Sequence, residues 1–156
     1  MQISSVPMES LAQILALQME SGGVARLVVT GDSMYPTFRN RKDVVYLSSD
    51  TGSLKKKDLI LYQRDSGQYV LHRIVSKPKN GVFICCGDNQ WEKEPVTARQ
   101  VVAVVIGFHR KGKEQTPDTF GYRTWVNLWV GLFPLRRPLL AIRRWLGRIR
   151  RKTYTL

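Results

Sequence analysis

Short runs of apolar and β-branched residues, bounded by turn residues, constrain the fold of this chain more than any other feature. The runs span residues 25–30, 43–47, 59–63, 69–75, 82–86 and 101–108. Turns that contain glycine with aspartate, serine or asparagine separate them, and the pair Asn80-Gly81 between two apolar runs is typical of a β-hairpin. Short strands at this spacing predict a mainly β fold, in the form of a small coiled or barrel-like domain.

The chain of 156 residues is long enough for one such domain and its flanking segments. Apolar residues at helical spacing predict an amphipathic N-terminal helix over 8–19, inside a first segment 1–23. The β-domain is predicted over 24–110. The polar stretch 111–122 indicates a linker, and 123–156 is predicted to be a basic amphipathic C-terminal helical segment.

The positive charge is concentrated in the C-terminal segment. The net charge is +13, yet residues 1–119 hold 16 basic and 12 acidic side chains, whereas 120–156 hold 9 basic and none that are acidic. This asymmetry favours an anionic partner. We expect an anionic membrane surface, contacted by Trp125, Trp129, Trp145 and the arginines of 136–151. An equally weighted alternative is that the helix packs its apolar face on the β-domain and leaves the arginines in water, and nucleic-acid binding is a less favoured third interpretation.

The two cysteines, Cys85 and Cys86, are adjacent in the sequence. Adjacent residues of a strand point to opposite faces and rarely form a disulfide, so we interpret them as free thiols in a reducing compartment. No zinc-binding spacing accompanies them, and we expect no metal and no cofactor. The chain shows neither a bilayer-spanning apolar run nor a secretory signal. We therefore expect a cytoplasmic protein, with the inner face of the membrane as a peripheral location.

Ser33 is the candidate nucleophile. It lies in the stretch Gly-Asp-Ser-Met-Tyr-Pro-Thr, residues 31–37, directly after a predicted strand. Pro36 restricts the backbone of the residue before it, and the glycine at position 31 allows a close backbone approach. A serine hydroxyl is a weak nucleophile unless a base accepts its proton, so the sequence must supply such a base.

His72 is the candidate base, and Asp88 the candidate for orienting it. Alternation along the strand 69–75 places His72 on one face with Val70 and Ile74. The alternative is a hydrogen-bonded core histidine, and His109 is interpreted as a surface residue. Asp88 follows a predicted strand and could stabilise an imidazolium, although an Asp-Asn turn at a strand end is an equal alternative.

Six stretches in this order resemble the superfamily of signal peptidases and self-cleaving SOS-type repressors. They are GDSMYPTF, KDVVYL, KKDLILY, LHRIV, CGDNQ and VVAVVIG, and the resemblance covers about residues 24–108. Bacterial signal peptidase I and the repressors carry a lysine base where this chain has the histidine of LHRIV. A histidine there is similar to the endoplasmic-reticulum and archaeal types of signal peptidase.

The resemblance implies a serine endopeptidase that cleaves a leader, signal or precursor peptide in an extended conformation. Ser33 would be the nucleophile, His72 the base and Asp88 the third catalytic residue. The backbone N–H of Ser33 would stabilise the oxyanion, and Asp32, Met34 and Pro36 would position the substrate. The alternative is a non-catalytic, peptide-binding or regulatory relative of the same fold.

Four features depart from the superfamily pattern. No membrane anchor or DNA-binding domain is evident before the serine. Gly31 stands where some signal peptidases have an oxyanion-donating serine. After Asn89 the chain continues with Gln-Trp-Glu-Lys, unlike bacterial signal peptidase I, which leaves the role of Asp88 open.

Overall fold

The computed structural model describes residues 23–76 and 80–143. The strands are β1 Ala25–Val28, β2 Val44–Ser48, β3 Leu59–Gln63, β4 Tyr69–Ser76, β5 Phe83–Cys86, β6 Glu94–Val96, β7 Val101–Arg110 and β8 Lys113–Gln115. Helix α1 spans Phe120–Gly131, the turn Phe133–Leu135 follows it, and residues 136–143 are again helical. The predicted helix 8–19 and Trp145 lie outside the described residues.

The strands form one antiparallel sheet in the order β1-β2-β7-β3-β4-β5-β6, with β8 paired to β7. The prediction of a small, mainly β domain is confirmed. Within the described residues the sheet is not closed into a barrel, because β1 and β6 stand at opposite ends of the strand order. All six predicted strands are present, and the boundaries of β3 are those predicted from the sequence.

The predicted linker 111–122 is not a simple linker. Lys111 and Gly112 both have positive φ, 51° and 75°, and they form a tight turn that folds β8 back onto β7. Such a turn matches the right-handed twist of a hairpin. Polar composition concealed β8, because this short edge strand is largely exposed. Helix α1 then begins at Phe120, inside the predicted linker.

The sheet buries a separate core on each face. Leu59 and Leu61 of β3 face a cluster that includes Val126 and Val130 of α1. The alternate residue Ile60 faces a second cluster, which contains Val70, Ile74 and Cys85. The predicted alternation of β4 therefore holds, and it sends His72 and Arg73 to opposite faces. Both cysteines are buried free thiols.

The C-terminal segment packs on the β-domain. The indoles of Trp125 and Trp129 stack with centroids 5.2 Å apart. Trp125 Nε1 donates to Thr37 Oγ1 at 3.1 Å, and Trp129 Nε1 donates to the carbonyl oxygen of Asp88 at 3.1 Å. The domain thus engages both tryptophans, as in the packing alternative. No helix in residues 23–76 or 80–143 is long and apolar enough to cross a bilayer.

Candidate active site

Ser33 lies in the loop that follows β1, and two kinds of contact hold this loop. Tyr35 N donates to Asp32 O at 3.1 Å, and Phe38 N donates to Met34 O at 2.9 Å. Met34 and Phe38 are fully buried and anchor the loop in the core, whereas Ser33 is half-buried. A rigid loop with one partly exposed serine is the arrangement that a nucleophile requires.

The predicted substrate-positioning residues have different surroundings in this loop. Asp32 is exposed, and its carbonyl oxygen accepts hydrogen bonds within the site. Pro36 is half-buried after a cis peptide bond from Tyr35. Gly31 has a φ of 80°, in the left-handed region that favours glycine. Met34 faces the core and also lines the cleft described below.

The serine loop is fastened to the turn after β5. Asn89 N donates to Ser33 O at 2.7 Å, and Asn89 Nδ2 donates to Asp32 O at 3.0 Å. Gly87 is the point of closest approach: a Cβ there would lie 2.7 Å from Ser33 O and 3.1 Å from His72 Nε2. Ser33 O and the imidazole therefore both lie close to Gly87, and a side chain at this position would crowd both of them.

Two side chains, one from β3 and one from β6, lie close to the other nitrogen of His72. The imidazole is 3% exposed, and its Nδ1 lies 3.1 Å from Tyr62 Oη. Glu94 Oε1 lies 3.8 Å from the same nitrogen and has no hydrogen-bond partner among the described residues. Arg64 holds the other oxygen of Glu94, Oε2, through Nε at 3.0 Å and Nη2 at 2.7 Å. One carboxylate oxygen thus remains directed at the ring without a partner of its own.

His72 is neutral near pH 7. The pKa of His72 is lowered to about 4, mainly by burial and in addition by the positive charge of Arg64, while the negative charge of Asp88 opposes both effects. A negative oxygen beside Nδ1 favours the tautomer that carries its proton there. In that tautomer the Nε2 atom, which faces Gly87 and the serine loop, is free to accept a proton.

Ser33 and His72 line the same cleft, which has a volume of about 320 Å³. Its apolar lining includes Leu27, Val28, Leu61 and Leu71, and its polar lining includes Arg64, Gln68 and Gln90. A cleft with apolar walls and a few polar groups is the common form of a ligand site.

Among the described contacts, the Asp88 carboxylate forms no hydrogen bond with the imidazole of His72. The carboxylate accepts from Arg73 Nε at 2.9 Å and Nη2 at 2.6 Å, and from Thr37 Oγ1 at 2.5 Å. Burial alone would raise the pKa of Asp88, but the charge and hydrogen bonds of Arg73 lower it below its usual value. Since Arg73 and His72 lie on opposite faces of β4, the predicted orienting role of Asp88 is corrected. Among the described residues, Tyr62 and Glu94 contact Nδ1 instead.

Arg136 supports the turn after β5 from the C-terminal segment. Its side chain is 1% exposed, and Nη1 donates to Gly87 O at 3.3 Å. Nη2 donates to Trp129 O at 3.2 Å, and the guanidinium lies 4.5 Å from the ring centroid of Phe133. The C-terminal segment therefore helps to hold the backbone of Gly87, the residue that lies close to both Ser33 O and His72 Nε2.

His109 is half-buried at the end of β7, away from the residues that line the cleft. In the described ranges no three His, Cys, Asp or Glu side chains cluster as metal ligands would.

No family model matches the chain. A comparison with curated proteins finds no significant match. The likeness to the signal peptidase and repressor superfamily therefore stays a prediction.

Proposed function

We propose that this protein is a serine endopeptidase in which Ser33 is the nucleophile and His72 the general base. One observation carries the proposal. A half-buried serine and a buried, neutral histidine line one cleft, and the carbonyl oxygen of Ser33 and His72 Nε2 both lie close to Gly87. A nucleophile beside a deprotonated base is the minimum requirement for acyl transfer.

The reaction follows from the atoms in the cleft. His72 Nε2 accepts the proton of Ser33 Oγ as the oxygen attacks the carbonyl carbon of a peptide bond. The Ser33 N–H donates no hydrogen bond to a described residue, and it stabilises the developing oxyanion. The imidazolium then protonates the departing amine as the C–N bond breaks. Water, deprotonated by His72, hydrolyses the acyl ester and restores the serine.

Glu94 and Tyr62 act through the imidazole as positioning residues. The buried ring resists protonation, so the imidazolium formed during the reaction needs a compensating charge. The unpartnered Oε1 of Glu94 at 3.8 Å supplies it, and the hydrogen bond with Tyr62 fixes the ring plane. This pair takes the role that the sequence assigned to Asp88.

The cleft favours an extended peptide with apolar side chains. Strand β1 ends the strand order of the described sheet, so its outer edge is open to a further strand. Val28 of β1 is 48% exposed beside the cleft. A substrate can add to such an edge through backbone hydrogen bonds and place alternate side chains in the cleft. A leader, signal or precursor peptide has the required unfolded form.

Cleavage of a panel of leader and precursor peptides, followed by mass spectrometry, tests the proposal. We expect products from the wild type and none above background from Ser33→Ala or His72→Gln. Ser66→Ala and His109→Gln are matched controls that should cleave as the wild type does, because neither residue lines the cleft. Equal product from all five proteins would overturn the proposal. Saturable peptide binding without cleavage would also overturn it, in favour of a peptide-binding relative.

A further inference from the structure

The C-terminal segment exposes a row of aliphatic side chains. Leu135, Leu139 and Ile142 are 55%, 41% and 55% exposed, respectively. Their spacing of four and then three residues puts them on one face of a helix. We call these three residues the C-terminal stripe. Three large aliphatic side chains in one exposed row leave apolar area in contact with water, which is typical of an interaction surface.

The buried residues of this helical segment determine its orientation. Arg136 and Leu140 are 1% and 2% exposed and face the protein. Arg136 is held by Gly87 O and Trp129 O. The C-terminal stripe therefore points outward on a docked helix, and packing of the described residues does not cover it.

The charges around the stripe indicate what covers it. Arg143 is exposed next to Ile142 and borders the stripe, Arg137 is exposed on the opposite side of the same helical segment, and residues 120–156 contain no acidic side chain. Arginines beside an apolar face match an anionic lipid surface, where phosphates meet the guanidinium groups and acyl chains meet the aliphatic ones. Nucleic acid would satisfy the arginines but would not remove the three aliphatic side chains from water.

We propose that the C-terminal stripe, with Arg143 beside it, docks this protein peripherally on an anionic membrane surface. The structure changes which residues make the contact. Trp125 and Trp129 use their indole N–H groups inside the protein, so the aliphatic stripe takes the place that the sequence gave to tryptophans.

The docking surface adjoins the serine loop. Arg143 Nη1 donates to Asn89 Oδ1 at 3.3 Å, and its guanidinium lies 4.0 Å from the ring centroid of Tyr35. Asn89 N in turn holds Ser33 O. A docked molecule would thus carry its cleft close to the headgroups. This last step rests on the proposed function, whereas membrane binding itself does not.

Co-sedimentation of the full chain with vesicles tests the proposal. The vesicles are phosphatidylcholine alone or phosphatidylcholine with phosphatidylglycerol, at physiological salt. We expect the wild type to bind only the anionic vesicles. The triple variant Leu135→Ser/Leu139→Ser/Ile142→Ser should bind at least about tenfold more weakly, since each side chain buries apolar area in the interface. Val24→Ser/Ile106→Ser, which changes exposed aliphatic residues of the sheet region, is the matched control and should bind like the wild type.

Two results would overturn the proposal: a wild type that stays in the supernatant with anionic vesicles, or a triple variant that binds them as the wild type does. Thermal unfolding confirms that the triple variant is folded. Loss of self-association in that variant, with no vesicle binding by the wild type, would assign the stripe to a second copy of the chain. Ser33→Ala should bind vesicles normally, so failure of the peptidase proposal and failure of this one are distinguishable.

Discussion

His72 and Arg73 are adjacent on β4, and both are buried, but their surroundings differ. The Arg73 guanidinium donates to both carboxylate oxygens of Asp88, to the carbonyl oxygen of Lys57 and to Tyr122 Oη. His72 has one hydrogen bond at Nδ1, a carboxylate oxygen that lacks its own partner, and an Nε2 that faces the cleft. Every guanidinium nitrogen of Arg73 and both carboxylate oxygens of Asp88 have a hydrogen-bond partner, whereas Glu94 Oε1 beside His72 has none among the described residues.

The difference in hydrogen-bond partners distinguishes a site that stabilises the fold from one that is able to react with a substrate. A buried ion pair whose donors and acceptors are all occupied has no capacity left for a substrate, and removing one partner leaves an uncompensated charge. A neutral imidazole with a free acceptor nitrogen can take a proton without breaking a bond that the fold needs. We therefore assign stability to the Arg73 face of the sheet and place the proposed catalytic chemistry on the His72 face.

The largest expected effect concerns the Arg73 face. Arg73→Met leaves the Asp88 carboxylate buried without its cation, and we expect a loss of about 3–5 kcal/mol in the free energy of unfolding. Urea denaturation measures it. Arg64→Met is the matched control, because the Arg64–Glu94 pair is partly exposed and should contribute at most about 1 kcal/mol. Equal destabilisation by the two substitutions would remove the distinction between the faces.

The His72 face should make stability depend on pH. The folded-state pKa of His72, about 4, lies below the ordinary value of 6.5. Between these values the unfolded chain binds the extra proton, so stability rises with pH across this window and is lost as the pH falls through it. The full change is about 3 kcal/mol.

Urea midpoints measured from pH 7 to pH 4 would show this loss in the wild type and a smaller one in His72→Gln. The depressed pKa of Asp88 acts in the same direction at lower pH and remains in both proteins. Parallel profiles for the two proteins would show that His72 is not a buried neutral base.

Gly87 lies close to both Ser33 O and His72 Nε2, and Gly87→Ala tests whether catalysis needs this close approach. The added Cβ would approach Ser33 O and His72 Nε2 too closely, so one of them must move. A shift of about 1 Å in a catalytic group is expected to lower the rate by about 100-fold. The measurement is kcat/KM on the best peptide of the panel. Gly121→Ala, at an exposed position with no neighbour within 4 Å, is the control, and equal activity of the two variants would contradict the account.

Glu94→Gln gives the smallest effect. It keeps an oxygen for Arg64 but removes the charge beside Nδ1. We expect kcat/KM to fall about tenfold, or about 1.4 kcal/mol, and its acidic limb to move to lower pH, because the imidazolium loses a stabilising charge. A purely structural role would leave the pH profile in place. The corresponding change at Glu92, which does not line the cleft, should alter neither quantity.

The alternation of residue types and the turn residues predicted most of the fold, because each strand of the core has a buried face on which its apolar residues recur at every second position. They failed for β8 and for β6, where three residues are too few to show a period. Ser33 and His72 could be found from local sequence. Tyr62 could have been found from the hairpin register that pairs it with Val70, two residues from His72.

Glu94 and Arg136 could not be predicted, because each reaches the site from a distant segment. Asp88 was assigned to the wrong partner for a related reason. The sequence shows a carboxylate near the strand of the base, but it does not show that Arg73, on the opposite face of that strand, binds this carboxylate instead of His72.

The central claim is that His72 activates the side chain at position 33, and alkylation of a Ser33→Cys variant tests it without a known substrate. Burial raises the pKa of Cys85 to about 12 and that of Cys86 to about 11, so the natural thiols react slowly with iodoacetamide. We predict that the new thiol reacts near pH 7 at least about tenfold faster than it does in the background of His72→Gln, because the base accepts its proton. Equal rates in the two backgrounds would contradict the account.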